Sequence, residues 1–433
     1  MKLTAILLLL LVLPVALLAQ TQEPAQSPSL VFTHVVVIDA TGAPAQSDMT
    51  VVITKRHITA LGKTDTVATP QEAHVVDASG KFLIPGLWDM HVHTAFDLTP
   101  GGKDISLPLF IANGVTGVRD MGGDLAALQQ WRQQITQGTL IGPHIMASGP
   151  MLDGEFAPFP NSLPIATAAE GQEAVEALKR QGVDFIKIQS LLPRDAYFAV
   201  AAEAKKQGLL FAGHVPDAVS AREASDAGQR SMEHLIGMQF QNANDPVAVQ
   251  MFTRFVKNGT WQCPTLVMRH NQALLAETDF RGDPRMKYIP GTWRWPPEVR
   301  PGSRVVYQQQ VAVVGAMHKA GVRLLAGTDT AGPYIFPGFS LHEELELLVQ
   351  AGLTPLEALQ TATRNPAQYF GMSERFGTIQ QEKVADLVLL DANPLEEISN
   401  TKKIAAVVVG GKLFTKDALQ QMLANVEAAA NQR

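Results

Sequence analysis

Two histidines spaced two residues apart are the clearest chemical signal in the chain. His91 and His93 flank Val92 at the end of an apolar run, and residues two apart in a β-strand project from the same face. The pair can therefore present two imidazoles to one metal ion, a common donor arrangement in zinc sites. Because such pairs also occur in purely structural roles, the pair alone leaves metal binding and a structural role equally open.

Further ionisable side chains stand at the ends of later apolar runs. Lys187 lies within an apolar stretch, 185–188, where a bare ammonium is costly to bury unless it reaches solvent. Its amine could instead react with carbon dioxide and become an anionic oxygen ligand. His214, His234 and Asp329 each close or directly follow another apolar run. Imidazole and carboxylate donors suit zinc and related divalent ions, so the whole set predicts a metal site.

The elements that must position these residues alternate between apolar strands and amphipathic helices. Strands are predicted over 87–93, 115–119, 144–148, 185–189, 210–214, 231–234, 261–265 and 323–328. Helices are predicted between them over 124–137, 170–181, 193–207 and 216–227. Eight such alternations predict a (β/α)8 TIM barrel in the α/β class, which gathers its catalytic residues at the C-terminal strand ends. An open doubly wound sheet is the alternative, but the chain has no nucleotide-binding glycine fingerprint.

Short β-type runs near both termini predict a second, smaller domain. They cover 31–38, 49–54, 57–61 and 74–77 at one end, and 385–390, 404–409 and 412–414 at the other. Turn residues separate them, as expected for a small sheet. We therefore predict a discontinuous, β-sandwich-like domain from residues 30–84 and 376–433, flanking a barrel of residues 85–375.

The first residues predict export. Lys2 precedes an apolar run over 3–18 that ends near the small residue Ala19, the pattern of a cleaved signal peptide rather than of a full membrane span. We predict a signal peptide over 1–19, a linker over 20–29 and a periplasmic or secreted mature protein without stable membrane insertion. An uncleaved anchor is the alternative. Cys263 is the only cysteine, which excludes an intrachain disulfide, and the net charge of −6 without a basic block argues against nucleic-acid binding.

Taken together, these motifs resemble the amidohydrolase superfamily, and most closely its imidazolonepropionase-like and Xaa-Pro dipeptidase (prolidase)-like branch. The resemblance covers nearly the whole mature chain. It rests on IPGLWDMHVH (84–93), FIK (185–187), GH (213–214), EHL (233–235), AGTD (326–329), GLTPLEAL (352–359), TRNPA (363–367) and ADLV (385–388). The motifs are specific as a set.

The resemblance implies different roles for the site residues. His91, His93 and Asp329 would bind the more buried of two divalent ions, and His214 and His234 the more exposed one. A carboxylated Lys187 and a hydroxide would bridge the ions, offsetting their positive charge together with Asp329. One ion would polarise the scissile carbonyl, while Asp329 would move the proton from the nucleophile to the leaving nitrogen.

Three classes of function remain open. The favoured one is a binuclear amide hydrolase acting on a dipeptide or an N-acyl amino acid. A mononuclear cyclic-amide hydrolase or deaminase of the same superfamily would need one ion and no carbamate, and Lys187 argues against it. A non-catalytic binding barrel should have lost metal ligands, whereas this chain keeps the full set. The sequence leaves open whether the protein is a homo-oligomer.

Two long loops and several other polar residues complete the prediction. The loops 149–164 and 279–303 are expected on the functional face, and the second carries Tyr288, Trp293 and Trp295. Such a lid would suit a partly apolar substrate with a carboxylate; a surface excursion or an oligomer contact is the alternative. Arg119 and Asp120 could face the site, but a salt bridge at the barrel rim is the favoured expectation. A role in supporting a ligand is open for His144. The other histidines are expected to be structural or exposed (His34, His57 and His74) or to be surface or helix residues (His270, His318 and His342).

Overall fold

The computed structural model describes residues 29–238, 240, 243, 245–275, 277–293, 302–330 and 332–432. The predicted signal peptide over 1–19 and all of the predicted linker except Ser29 lie outside these residues. Among the helices in the described part, none has the length and apolar character needed to cross a membrane.

Strands are concentrated at the two ends of the chain and at the points where the sequence predicts parallel strands. Within the described ranges they are β1 (Leu30–Val37), β2 (Gln46–Thr54), β3 (His57–Lys63), β4 (His74–Asp77), β5 (Phe82–Pro85), β6 (Leu87–Val92), β7 (Val115–Asp120), β8 (His144–Ala147), β9 (Met151–Asp153), β10 (Ser162–Pro164), β11 (Phe185–Ile188), β12 (Leu210–Gly213), β13 (Ser231–Glu233), β14 (Trp261–Cys263), β15 (Leu387–Leu390), β16 (Ile404–Val409) and β17 (Lys412–Thr415).

Helices alternate with the middle strands and follow the last one. Those in the described ranges are α1 (Ser106–Ala112), α2 (Leu125–Thr136), α3 (Ala168–Gln181), α4 (Arg194–Lys206), α5 (Ala221–Asp226), α6 (Pro246–Asn258), α7 (Leu266–Leu274), α8 (Ser303–Lys319), α9 (Phe339–Gln350), α10 (Pro355–Thr361), α11 (Arg364–Tyr369) and α12 (Lys416–Asn431). Short 3-10 turns add Phe280–Gly282, Pro284–Tyr288 and Ile398–Lys402.

Strands from both chain ends share one eight-stranded sheet. Its order is β17-β16-β15-β5-β1-β2-β3, with β4 paired to β1. The two ends meet where β5 pairs with β15 in antiparallel register, for example Leu83 opposite Leu389. These two leucines are buried in one apolar cluster with Val35 and Val51. The sheet therefore ties the start and the end of the chain to each other.

The middle of the chain forms parallel sheets in the order β6-β7-β8 and β10-β9-β11-β12-β13-β14. Backbone atoms link the two, since the Asp184 amide donates to the Ala147 carbonyl at 2.9 Å. Every residue of β6, β7 and β11 is buried, as expected for strands covered on both faces. The structure is thus a mixed α/β fold with parallel strands at its centre.

The predicted strand over 323–328 is the main departure from the expected pattern. In the structure this segment makes only isolated bridges, Gln262 with Leu324 on one side and Val92 with Thr330 on the other. The ladder is interrupted because the Ala326 amide donates to the Thr361 carbonyl at 3.1 Å. The Thr361 carbonyl at the end of α10 thus accepts a hydrogen bond that, in a regular sheet, a neighbouring strand would accept.

Two other boundaries differ from the sequence prediction. The helix predicted from residue 216 begins at Ala221, because Ser220 and Glu223 form a reciprocal capping box that starts the helix there. The predicted loop 149–164 contains β9 and β10, which pair in parallel. Its first strand joins the central sheet through Leu152 and Ile188, so this loop is anchored rather than a free excursion.

Candidate metal centre

The predicted histidine ligands are each held through one ring nitrogen. His91 Nδ1 lies 2.9 Å from Glu233 Oε2, and His93 Nδ1 lies 3.0 Å from the Gly122 carbonyl oxygen. Since neither acceptor carries a hydrogen, both Nδ1 atoms must donate. The Nε2 atom of each ring is then left with its lone pair, which is the state a metal ligand requires.

The other two histidines are held by hydroxyl groups. His214 Nδ1 is 2.7 Å from Ser190 Oγ, and His234 Nδ1 is 2.7 Å from Thr265 Oγ1. The rings of His214 and His234 are 5.0 Å apart, and His234 is 4.5 Å from His91, measured between centroids. The four imidazoles therefore form one group, with each Nδ1 engaged by the protein.

Asp329 joins this group from the segment after the eighth predicted strand. Its Oδ1 lies 3.4 Å from His91 Nε2 and 3.5 Å from His93 Nε2. The ligand atoms of these three residues all fall within 4.8 Å of one another, close enough to share a metal ion. His91 Nε2 is buried and has no hydrogen-bond partner among the described residues. An unsatisfied buried nitrogen is costly, so the donor set fits a divalent cation.

Lys187 lies inside the same site and does not reach outward to solvent. It is only 1% exposed, and within the described part its Nζ has no hydrogen-bond partner. Burial lowers the pKa of Lys187 to about 8, so the neutral amine that reacts with carbon dioxide is more accessible than in an exposed lysine. Gly213 on the adjacent strand makes room, because a Cβ there would stand 2.9 Å from Lys187 Cδ.

Three residues at the strand ends of the site have strained backbone conformations. His234, Thr265 and Asp329 have φ angles of 60°, 48° and 66°, in the left-handed region that non-glycine residues rarely adopt. Such conformations persist where the surrounding structure enforces them, most often at functional sites. The strain therefore supports the assignment of a site to these strand ends.

The electrostatic setting favours neutral imidazoles beside an ionised carboxylate. Burial lowers the pKa of His91 and His214 well below the usual value, and that of His234 to about 4. Burial alone would raise the pKa of Asp329, and only positive charge beside the carboxylate lowers it; among neutral imidazoles, a bound cation would supply that charge. Neutral histidine and ionised aspartate are the protonation states that metal binding needs.

The candidate ligands line one cavity of about 480 Å³. The rest of its described wall is largely apolar and includes Phe96, Leu98, Met151, Phe159, Ile236 and Met268. Gln189, Arg269 and Gln272 add polar groups. The cavity therefore combines a dense set of metal donors with a wall suited to a partly apolar molecule that also carries a polar or charged group.

Several other residues lie away from the places that the sequence analysis proposed. Trp293 is packed in an apolar cluster with Tyr288, and its indole nitrogen donates to the Pro100 carbonyl; neither aromatic residue lines the cavity. Trp295 lies outside the described residues. His144 stands at the start of β8, stacked on Trp88, at the end of the strand opposite to the site.

One further prediction was wrong about depth. Arg119, expected at the rim, is fully buried and forms its salt bridge with Glu233 inside the structure. His342 is a helix residue of α9, one of the two expected positions, but it is 1% exposed and bonded to Thr401 and to the Asn113 carbonyl. The role of Glu233 as the partner of His91 was not predicted, although a charged residue inside the run 231–234 is a signal for it.

Comparison with known proteins places the chain in a known family. Residues 82–414 match the family model described as "Amidohydrolase family". An ochratoxinase from Aspergillus niger is 26% identical over 398 residues, covering 77% of this chain and 75% of the relative.

Solved structures show the same fold. A Xaa-Pro dipeptidase with bound methionine in its active site superposes with a TM-score of 0.70 at 22% identity, covering 89% of this chain and 100% of that one. The A. niger ochratoxinase structure also has a TM-score of 0.70, at 21% identity, covering 90% of this chain and 96% of the other.

The family match spans both the strand ends that carry the candidate ligands and the last strands of the terminal sheet. It identifies a hydrolase that acts on C–N bonds. The chain belongs to the amidohydrolase family.

Proposed function

We propose that this protein is a binuclear metal-dependent amide hydrolase that cleaves a dipeptide or an N-acyl amino acid. The observation that carries the proposal is the convergence of four histidines, Asp329 and Lys187 on one cavity. Each histidine uses Nδ1 for a contact within the protein. A structural cluster has no reason to direct every Nε2 away from such contacts, whereas a metal centre requires it.

In this proposal His91, His93 and Asp329 hold one ion, and His214 and His234 hold the other. Lys187, carboxylated on Nζ, would lie between them. Divalent ions bound here, with zinc best suited to the donors, would polarise the scissile carbonyl and lower the pKa of a water molecule.

In this proposal Asp329 moves the proton. Its carboxylate faces both His91 Nε2 and His93 Nε2, and its side chain is 22% exposed in the cavity wall. Ionised beside a bound cation, it could accept a proton from the attacking water and pass it to the leaving nitrogen. Ordinary burial would have left this carboxyl protonated and unable to begin that transfer.

The cavity wall indicates the class of substrate. Arg269 extends from α7 and donates to Gln272 Oε1 at 3.0 Å, and both residues line the cavity. A guanidinium suits a carboxylate, while Phe96 and Phe159 offer aromatic surface with ring centroids 6.1 Å apart. A free α-carboxylate joined to an apolar side chain through an amide fits this wall. The likeness to a Xaa-Pro dipeptidase favours the same class.

The proposal includes the architecture and the destination of the protein. Residues 85–375 would form a (β/α)8 barrel, supported by the Asp184–Ala147 link and by the bridges of the segment 323–330 to β14 and β6. Residues 30–84 and 376–433 would be the smaller domain, supported by their shared sheet. Export follows from the predicted signal peptide, and N-terminal sequencing of the mature protein should begin just after Ala19.

A substrate panel tests the activity directly. The mature protein, loaded with zinc in the presence of bicarbonate, should release free amine from dipeptides and N-acyl amino acids. The same compounds with the α-carboxylate converted to an amide provide matched controls and should react more slowly. No amine release from any member of the panel would contradict the proposed activity.

One observation favours a second candidate. His91, His93 and Asp329 already form a complete three-ligand group, which could hold a single ion without Lys187. A mononuclear cyclic-amide hydrolase or deaminase would use that arrangement. It predicts ring opening or ammonia release on cyclic substrates and unchanged activity in K187A, whereas the binuclear proposal predicts a large loss of activity in that variant.

A further inference from the structure

A charged pair is buried beneath the candidate metal centre. Arg119 on β7 places Nη2 2.8 Å from Glu233 Oε2 on β13, and both side chains are fully buried. The same Glu233 Oε2 accepts from His91 Nδ1 at 2.9 Å. A buried ion pair is weak evidence for stability, so its position under a candidate ligand needs another explanation.

The hydrogen bonds around Glu233 leave it no freedom to rotate. Its second oxygen, Oε1, accepts from the Ser231 hydroxyl, and Ser231 Oγ in turn accepts from Arg119 Nη1 at 2.8 Å. Arg119 Nε donates to the Met90 carbonyl, and the guanidinium carbon lies 5.0 Å from the centre of the Tyr369 ring. The Glu233 carboxylate is therefore held in one orientation by Arg119 and Ser231.

His91 is the only one of the four site histidines whose Nδ1 meets a carboxylate within the described residues; the others meet a carbonyl or a hydroxyl. A hydroxyl can reverse its role and accommodate either ring tautomer. An ionised carboxylate can only accept, so it selects the tautomer with the proton on Nδ1. His91 is also fully buried, where no water can take over that role.

A competing role for Glu233 is metal coordination. Ligand atoms of His91, Glu233 and Cys263 also fall within 4.8 Å of one another. However, both Glu233 oxygens are already engaged by Arg119, Ser231 and His91. Burial raises the pKa of the Cys263 thiol well above its usual value, which disfavours the thiolate that metals require. Glu233 is thus better placed to hold a ligand than to be one.

We infer that Arg119 and Glu233 act as a positioning pair, which fixes His91 in the Nδ1–H tautomer and aims its Nε2 into the metal centre. Arg119 orients the carboxylate, and the carboxylate orients the ring. The inference rests on the proposed function, because the pair would serve to orient a metal ligand. The effect of the pair on the tautomer of His91 can also be measured in the metal-free protein. Removing the pair should weaken metal binding about 10- to 100-fold, the usual effect of losing a partner behind a metal-binding histidine.

The test compares three variants with wild type. E233Q keeps the shape of the side chain and removes its charge. R119M/E233M replaces the whole pair with apolar side chains, a change that buried ion pairs often tolerate. E203Q is the matched control, since Glu203 is a 5% exposed glutamate on α4, bonded to Lys206 and Gln207 rather than to the site.

Two readouts separate positioning from general destabilisation. Competition with a chelator gives the zinc Kd, and ¹⁵N spectra of histidine-labelled, metal-free protein give the tautomer of His91, assigned with an H91N variant. E233Q should raise the Kd at least several-fold, and R119M/E233M should raise it about 10- to 100-fold and also lose the Nδ1–H signature. E203Q should match wild type in both.

Two results would overturn the inference. One is an unchanged Kd in E233Q relative to E203Q; the other is a His91 that stays in the Nδ1–H tautomer in R119M/E233M. If R119M/E233M does not fold, E233Q decides alone. Wild-type protein that binds no zinc would instead refute the proposed function, and the tautomer spectra would still decide whether the pair positions His91.

Discussion

Gly213 should be irreplaceable because the backbone carrying Lys187 runs directly against it. A Cβ at position 213 would stand 2.1 Å from the Ile188 carbonyl oxygen and 2.9 Å from Lys187 Cδ. The residue also has a φ of +131°, which L side chains rarely adopt. In G213A the strand β12 must therefore move away from β11, taking His214 with it.

The expected cost combines two effects. Backbone strain of this type costs about 1–3 kcal/mol, and overpacking a buried site costs about 1–3 kcal/mol, so G213A should lose roughly 2–6 kcal/mol of stability. Gly208 provides the control: its φ is +65° and a Cβ there would meet nothing within 4 Å. G208A should lose only the stability that a non-glycine residue costs in the left-handed region, about 1–2 kcal/mol.

Thermal unfolding at a fixed scan rate and metal content of the folded protein measure both consequences. G213A should unfold at a clearly lower temperature than G208A and bind less than half the wild-type metal. The reasoning would be refuted if G213A matched G208A in melting temperature and kept full metal content, since the space beside Lys187 would then not matter.

Three further predictions follow from the same geometry. Metal-stripped protein should regain more activity with zinc and bicarbonate than with zinc alone, and K187A should lose this dependence; an equal response in both would argue against carboxylation. R269Q should raise KM about tenfold or more for substrates with a free α-carboxylate and much less for their amides, as steady-state kinetics would show. Burial raises the pKa of Glu344 from 4.5 to about 8, so the native state retains a proton that the unfolded chain releases; stability should fall as pH rises from about 4.5 to 8, and E344Q should flatten that part of the melting-temperature profile.

The strand pattern could be predicted because strands buried on both faces produce continuous apolar runs. The ends of those runs also gave the positions of the candidate ligands, since a parallel arrangement brings C-terminal strand ends together. The segment 323–328 was predicted as a regular strand, yet its irregularity depends on the Thr361 carbonyl, which lies more than thirty residues further along the chain. The residue pattern of the run itself carries no information about a hydrogen-bond partner so distant in the sequence.

The interior charges were harder to place for the same reason. Arg119 stands in a continuous apolar run without alternation, so the sequence cannot say which face it occupies; only the neighbouring Glu233 explains why it is buried. Likewise, the composition of the loop 279–303 suggested a lid, but composition does not show whether the side chains of a loop face the cavity. In its described part, Trp293 donates to the Pro100 carbonyl and does not line the cavity.

Metal content per chain tests the central claim most directly. The mature protein, purified without chelator and without a metal-affinity step, should contain about two equivalents of divalent metal by mass spectrometry of the digested protein. One equivalent would contradict the binuclear centre and favour the ion held by His91, His93 and Asp329 alone. None, even after reconstitution with zinc and bicarbonate, would contradict the metal-dependent mechanism as a whole.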